Sequence, residues 1–223
     1  MTLSRYLFLK LSTFINKRRV FLTMSLSFNA TKYILEPEFD FIRCSTLELC
    51  YREITNNKVL GNVAELGVYK GKFSKKLNQL FANRTLYLFD TFEGFSKKDI
   101  SVEVANNFSD GKQDFSDTSV ESVLKQMPYP SNCIVKKGFF PETANGVEDK
   151  FCFVSIDADL YEPIYQGLLF FYPRLEKGGY IFVHDFNNEA YTGARQAVLK
   201  FCNETGINFV PIADSGGTAI ITK

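Results

Sequence analysis

The sequence predicts an α/β fold: a doubly wound, mostly parallel sheet with helices on both faces and an antiparallel C-terminal hairpin. Three observations predict it. Short apolar runs alternate with amphipathic stretches from residue 61 onward, the pattern of a parallel sheet covered on both sides. Four of the runs stop at polar residues, namely Glu65, Asp90, Asp157 with Asp159, and His184 with Asp185. Sheets of this kind bind ligands beyond the carboxyl ends of their strands. The last two runs, INFVPIA and TAIIT, flank Asp-Ser-Gly-Gly, a hairpin signal.

Taken in order, residues 39–56 predict a helix, with Phe41, Cys44, Leu47, Leu49 and Ile54 on roughly one side. GNVAELG is a first strand, and GKFSKKLNQLFAN an amphipathic helix carrying Phe73, Leu77, Leu80 and Phe81. TLYLFD is a second strand. Residues 91–117 are polar and read as irregular, and a loop of that length inside a compact domain is usually functional, such as a lid. Asp117-Thr118-Ser119 can cap a helix that stops before Pro128 and Pro130. NCIVKKG and FCFVSID are the third and fourth strands. YEPIYQGLLFFYPRL is a helix that tolerates Pro163 in its first turn. GGYIFVHD is the fifth strand, residues 188–205 the last helix, and the closing hairpin brings the strand total to seven.

Composition narrows the class. A chain of 223 residues suits one sizeable domain with an appendage. The net charge is +1, but residues 1–35 hold six of the 26 Lys/Arg and none of the 25 Asp/Glu, so a basic arm precedes a mildly acidic body. That balance gives no reason to expect nucleic acid. The arm has three readings: a mobile or dimer-exchange segment, a peripheral membrane-surface helix, or a removed presequence. The five cysteines, at 44, 50, 133, 152 and 202, form no CxxC pair. Reduced thiols in a cytoplasmic protein are the expectation.

The strand-end residues carry the chemistry. Glu65-Leu66-Gly67-Val68-Tyr69-Lys70-Gly71 precedes a helix, but the glycine spacing is G-x-x-x-G rather than the dinucleotide G-x-G-x-x-G. An acid there would repel pyrophosphate and attract a cation such as a sulfonium, which favours S-adenosylmethionine over NAD. Asp90, 23 residues after Gly67, stands where an acid takes ribose hydroxyls, with Phe92 beside it able to cover the adenosine; a turn cap and a core ring are the structural alternatives. Asp157 and Asp159 sit two apart at a strand end, and like charges that close need a cation, a proton or water between them. Hard divalent ions take oxygen ligands. His184 is the single histidine, and it adjoins Asp185. If the fourth and fifth strands are neighbours, Asp157, His184 and Asp185 meet.

Together AELGVYKG, LYLFDTFEGF, SDTSVESV, KKGFFPET, IDADLYEP, LEKGGYIFVHDF and TGARQAV resemble the macrocin O-methyltransferase family, the sugar O-methyltransferases of macrolide and aminocoumarin biosynthesis, from about residue 39 to about residue 213. The resemblance implies a class I, Rossmann-like methyltransferase domain over 36–223, S-adenosylmethionine as donor, a divalent metal (Mg or Mn), a sugar hydroxyl as acceptor and a homo-oligomer. It implies that Glu65, Gly67 and Gly71 line the methionine end, that Asp90 binds the ribose, and that Ser119, Gly138 and Phe139 lie near the adenine. Asp157 becomes a metal ligand and Asp159 the general base. The family's last ligand pair is Asp-Asp, whereas this chain has His184-Asp185. An imidazole suits Mn²⁺, Fe²⁺ or Zn²⁺ better than Mg²⁺; alternatively the metal is weak or absent and His184 takes the proton itself. A catechol-type O-methyltransferase, an NAD-dependent oxidoreductase and a non-catalytic binding member of the fold are the rival readings.

Overall fold

The structure, a computed structural model, describes residues 40–223 together with Leu7, Lys10 and Leu11. The remainder of the basic arm, with the membrane contact expected of it, lies outside the described residues. The six helices described are α1 (Phe41–Asn56), α2 (Lys72–Leu80), α3 (Lys97–Ala105), α4 (Val120–Gln126), α5 (Tyr161–Arg174) and α6 (Thr192–Thr205). The seven strands are β1 (Asn62–Leu66), β2 (Leu86–Asp90), β3 (Cys133–Lys137), β4 (Phe151–Ile156), β5 (Leu175–Val183), β6 (Val210–Ile212) and β7 (Thr218–Thr222). They form one sheet in the order β3-β2-β1-β4-β5-β7-β6. The strands β1 to β5 run parallel, and β7 pairs antiparallel with both β5 and β6.

The sheet is covered on both faces because its strands bury both. Along β1, Val63 joins a core with Leu47, Cys50 and Ile54 of α1 and Leu77 of α2. Its neighbours Ala64 and Leu66 join the opposite core, with Ile164, Leu168 and Phe171 of α5 and Ala194, Val198 and Phe201 of α6. Adjacent residues of a strand point to opposite faces, so a continuous apolar run is what a doubly covered strand requires.

Strand order reverses between β1 and β4, the place where such sheets open a crevice. The ladder continues one residue past the strands there. Gly67 N donates to Phe89 O, Asp157 N to Leu66 O, His184 N to Ile156 O and Gly138 N to Asp90 O, all at 2.8–2.9 Å. Four segments of the chain are thereby held along one rim. At Gly67 (φ +87°) a Cβ would lie 2.1 Å from the Asp157 carbonyl oxygen. A glycine is required there because two backbones cross.

Three expectations are corrected. The 91–117 segment is not wholly irregular, since it contains α3. Ser96 caps that helix by accepting from Lys98 N, and Glu103 fastens it to α5 by accepting from Tyr161 N at 2.6 Å. The last helix starts at Thr192 rather than 188, because Asn188 N and its side chain both turn back onto Asp185. The strand expected over 207–213 shortens to Val210–Ile212, an exposed edge.

Candidate active site

The rim encloses a cavity of about 700 Å³ lined by Glu65, Gly67, Asp90, Gly138, Phe139, Asp157, Asp159, His184 and Asp185, among others. All nine were expected at the site, so four strand ends deliver their polar residues to one pocket. Three other expected cofactor residues lie off its wall. Phe92 is 4 % exposed and packs in the core beside Val68 and Val123. Ser119 is the N-cap of α4 and exchanges capping bonds with Ser122. Gly71 (φ +71°) begins α2, and a Cβ there would meet Val123 of α4 at 2.8 Å. Its glycine serves helix packing.

Asp90 is more engaged than a ribose acceptor needs to be. Its Oδ2 accepts from Val68 N (2.7 Å) and Tyr69 N (2.8 Å), and its Oδ1 from Phe92 N (2.6 Å). The carboxylate folds the loop after β1 onto the end of β2, and only its remaining lone pairs are left for a ligand.

The centre of the site is a charge network that begins with a residue absent from the sequence expectations. Arg43, in the first turn of α1, donates to Asp157 Oδ2 (2.9 Å) and Ser155 Oγ (3.2 Å), and its guanidinium lies 4.0 Å over the Phe73 ring. Asp157 Oδ1 faces His184 Nδ1 at 3.1 Å, and Asp185 Oδ2 faces the same nitrogen at 3.0 Å. His184 Nε2 is 3.0 Å from the Ser215 carbonyl. Burial alone would raise Asp157, but Arg43 and His184 hold its carboxyl well below the usual range. Burial alone would lower His184, yet Asp157 and Asp185 push it up to about 10. Asp159 (φ +57°) lies beside Asp185, and burial, then Asp157 and Asp185, push its carboxyl well up.

A carbonyl oxygen only accepts, so Nε2 carries a proton and Nδ1 addresses the carboxylates. Both ring nitrogens are engaged. As the expected alternative base His184 is therefore poorly placed, because no lone pair is free for an acceptor hydroxyl. As a ligand it would have to exchange the Nδ1 proton for the cation, and its Nε2–H would stay fixed on the Ser215 carbonyl, the usual metal-binding arrangement. One oxygen each of Asp157 and Asp185 and one nitrogen of His184 lie within 4.8 Å of one another. The residues present fit a divalent cation, with one nitrogen in an otherwise oxygen donor set.

The hairpin loop and α1 close this end. Asp40 Oδ1 caps α1, and its Oδ2 accepts from Ser215 N at 2.9 Å. Buried Asp214 accepts from Thr218 Oγ1, and its other oxygen has no partner. Arg43 was legible in principle. Arg43, Leu47, Cys50 and Ile54 follow helical spacing, and all four are buried. A lone cation on a core stripe is the signal of a buried partner.

Glu65, 2 % exposed, accepts from the Ser74 hydroxyl, and burial raises its carboxyl to about 8. A folded-state value above the ordinary one contributes stability that is complete below about pH 4.5. That contribution is lost as pH rises through about 8. Glu65→Gln keeps an acceptor for Ser74 and does not titrate. The stability of the wild type relative to this variant is expected to fall as pH rises from about 4.5 to about 8, on the order of 5 kcal/mol in total, and to level above it. Thermal unfolding across pH 5–9 checks this, and a constant difference refutes it.

Comparison with known proteins places this geometry. The model of a family described as macrocin-O-methyltransferase (TylF) matches residues 41–220. A Streptomyces olivaceus protein, 8-demethyl-8-(2,3-dimethoxy-alpha-L-rhamnosyl)-tetracenomycin-C 4'-O-methyltransferase, is 23 % identical over 193 residues, 81 % of this chain and 72 % of that protein. Among solved structures, the calicheamicin methyltransferase CalS11 superposes with a TM-score of 0.67 at 18 % identity, covering 87 % of this chain and 82 % of the other. The O-methyltransferase NovP gives 0.65 at 19 %, covering 82 % and 80 %.

Proposed function

The chain belongs to the macrocin-O-methyltransferase family, and from that premise we propose that it methylates a sugar hydroxyl of a glycan, glycolipid or glycosylated natural product with the assistance of a divalent metal. That it is an S-adenosylmethionine-dependent O-methyltransferase follows from the family and the fold. The sugar acceptor is supported by the relative named for a rhamnosyl substrate. The observation that carries the mechanism is the convergence of Asp157, Asp159, His184 and Asp185 beside the Gly67 loop in one cavity.

The donor's sulfonium already makes its methyl group electrophilic. The protein must align the acceptor oxygen behind that methyl, exclude water and accept one proton. A divalent ion held by Asp157, His184 and Asp185 would lower the pKa of the acceptor hydroxyl. Arg43 fixes Asp157 through the oxygen not turned toward His184. Asp159, in the cavity wall beside Asp185, is the carboxylate placed to take the hydroxyl proton. Asp157, kept ionised by Arg43 and His184, supplies negative charge beside the Gly67 loop, and the arrival of the sulfonium favours the ionised forms of Glu65 and Asp159. The segment 91–117 puts Phe95 and Phe115 in the cavity wall, apolar faces on which a sugar ring can lie. Among the described residues no helix is long and apolar enough to cross a membrane.

The test is methyl transfer from labelled S-adenosylmethionine to a panel of rhamnosides, nucleotide sugars, glycolipids and catechols, with each divalent metal in turn. Transfer to a sugar supports the reading, and transfer to catechols alone overturns it. A nitrogen ligand predicts ion selectivity as well. The wild type is expected to bind Mn²⁺ at least about tenfold more tightly than Mg²⁺, and His184→Asp to narrow that ratio. Titration calorimetry measures both, and equal ratios in the two proteins refute the assignment of His184 as a ligand.

A further inference from the structure

We infer that Asp99, carried over the cavity by α3, reads the adenine of the cofactor, its side chain accepting a hydrogen bond from the 6-amino group. The inference rests on the donor being S-adenosylmethionine, and not on the identity of the acceptor.

Asp99 is 7 % exposed and lines the cavity. Among the described residues nothing donates a hydrogen bond to its side chain. Its charged neighbours include Glu162 and Glu103, which repel it, and burial together with those charges pushes its carboxyl up to about 7. A buried carboxyl without a partner is costly. The local explanation for an acid at this place fails. Asp99 is the third residue of α3, where an acid can close a capping box by accepting from the N-cap N–H. Ser96 caps the helix through Lys98 N, and Asp99 makes no return bond. Glu103, one turn later, behaves as a structural acid should: it is fully buried and accepts from Tyr161 N at 2.6 Å and Ser109 Oγ at 2.8 Å. Glu103 therefore anchors α3 on α5, while Asp99 on the same helix face is left to the cavity.

The position along the cavity identifies the donor. With the methionine end at Gly67 and Asp157 and the ribose at Asp90, the base must lie beyond Asp90, toward the end of β3. There Gly138, Phe139 and Phe140 line the cavity, as do Leu160 and Pro163 at the start of α5. Lys98 Nζ sits 4.7 Å over the Phe139 ring, which brings the first turn of α3 to that wall. An apolar slot suits a planar base, and a purine with an exocyclic amine brings N–H donors to an acceptor on its edge. The end of β3 and the residues after it read Lys136-Lys137-Gly138-Phe139 and supply no acid, so the acceptor arrives from the helix above.

The test compares S-adenosylhomocysteine with its analogue carrying hydrogen in place of the 6-amino group, by titration calorimetry on the full chain. The wild type is expected to bind the amino form at least about tenfold more tightly. Asp99→Leu, which suits the apolar wall, is expected to bind the two alike, and Asp99→Asn to fall between. A merely structural role would lower both affinities together and leave their ratio unchanged. If the wild-type ratio is within twofold of one, or if Asp99→Leu keeps the full ratio, the inference is overturned. The wild-type comparison stands even if a variant fails to fold. A failure to methylate any sugar would count against the proposed acceptor and leave this result intact.

Discussion

Asp159→Asn is expected to lower kcat by at least about a hundredfold, the scale of general-base catalysis, while S-adenosylhomocysteine still binds within about threefold of the wild type. The argument is one of elimination among groups that share the wall. Asp157 is committed on both oxygens, to Arg43 and to His184. Asp185 is committed on both, to His184 and to the Asn188 amide. His184 has both nitrogens engaged. Asp159 has fewer obligations, and its carboxyl is held well up by burial and by its acidic neighbours. In the free protein that favours the protonated form, which is the wrong one for a base. Arrival of a sulfonium, and of a cation among Asp157, His184 and Asp185, favours the ionised form by the same electrostatics. The sign is then fixed: activity rises with pH as Asp159 loses its proton, and the profile for kcat is displaced to lower pH than that for kcat/KM. Asparagine keeps the shape and removes the proton acceptor, so the acid limb should vanish from what activity is left. Near-normal turnover in Asp159→Asn would remove this residue from the role.

The frame was readable because each of its signals is local. Seven apolar runs, the Asp-Ser-Gly-Gly turn and the amphipathic repeats between them are decided by neighbouring residues, and they place β1 to β5 at the expected segments, although Gly178 and Gly179 lie inside β5 (Leu175–Val183) rather than in a turn before it. Convergence of Glu65, Asp90, Asp157 and His184 was readable for a related reason. In a doubly wound sheet all parallel strands end on the same rim, so a polar residue just after an apolar run is addressed to it. What escaped was decided at a distance. KKDISVEVA has no apolar stripe worth the name, and α3 exists because Ser96 starts it and Glu103 ties it to Tyr161, 58 residues away. Gly71 and Ser119 matched a familiar order of residues, but their work is packing and capping between α2 and α4. Arg43 lies 114 residues from Asp157 in the chain, and no local periodicity announces which carboxylate it meets.

Arg43→Met should therefore be the most damaging substitution outside the strand ends. Methionine fills much of the same volume against Phe73, so the loss is electrostatic. Asp157 would keep His184 as its one cationic partner, and Ser155 Oγ would lose its donor. Removing one member of a buried ion pair leaves a charge that the interior cannot solvate. Such a loss costs about 3–5 kcal/mol, and the partial exposure of Asp157, 24 % for its side chain, places this site at the lower end, about 3 kcal/mol. For a domain of this size that lowers Tm by about 10 °C. Turnover should fall by at least about tenfold as well, because Asp157 no longer holds one orientation beside His184. Arg43→Lys separates charge from shape. An ammonium restores the attraction but cannot reach Asp157 and Ser155 together while lying flat on Phe73, so Tm should recover in part while turnover stays low. A double-mutant cycle with Asp157→Asn isolates the pair: a coupling of at least about 1.5 kcal/mol is expected. Additive effects in that cycle would mean that Arg43 serves α1 alone, and that the site's negative charge is balanced by something other than this guanidinium.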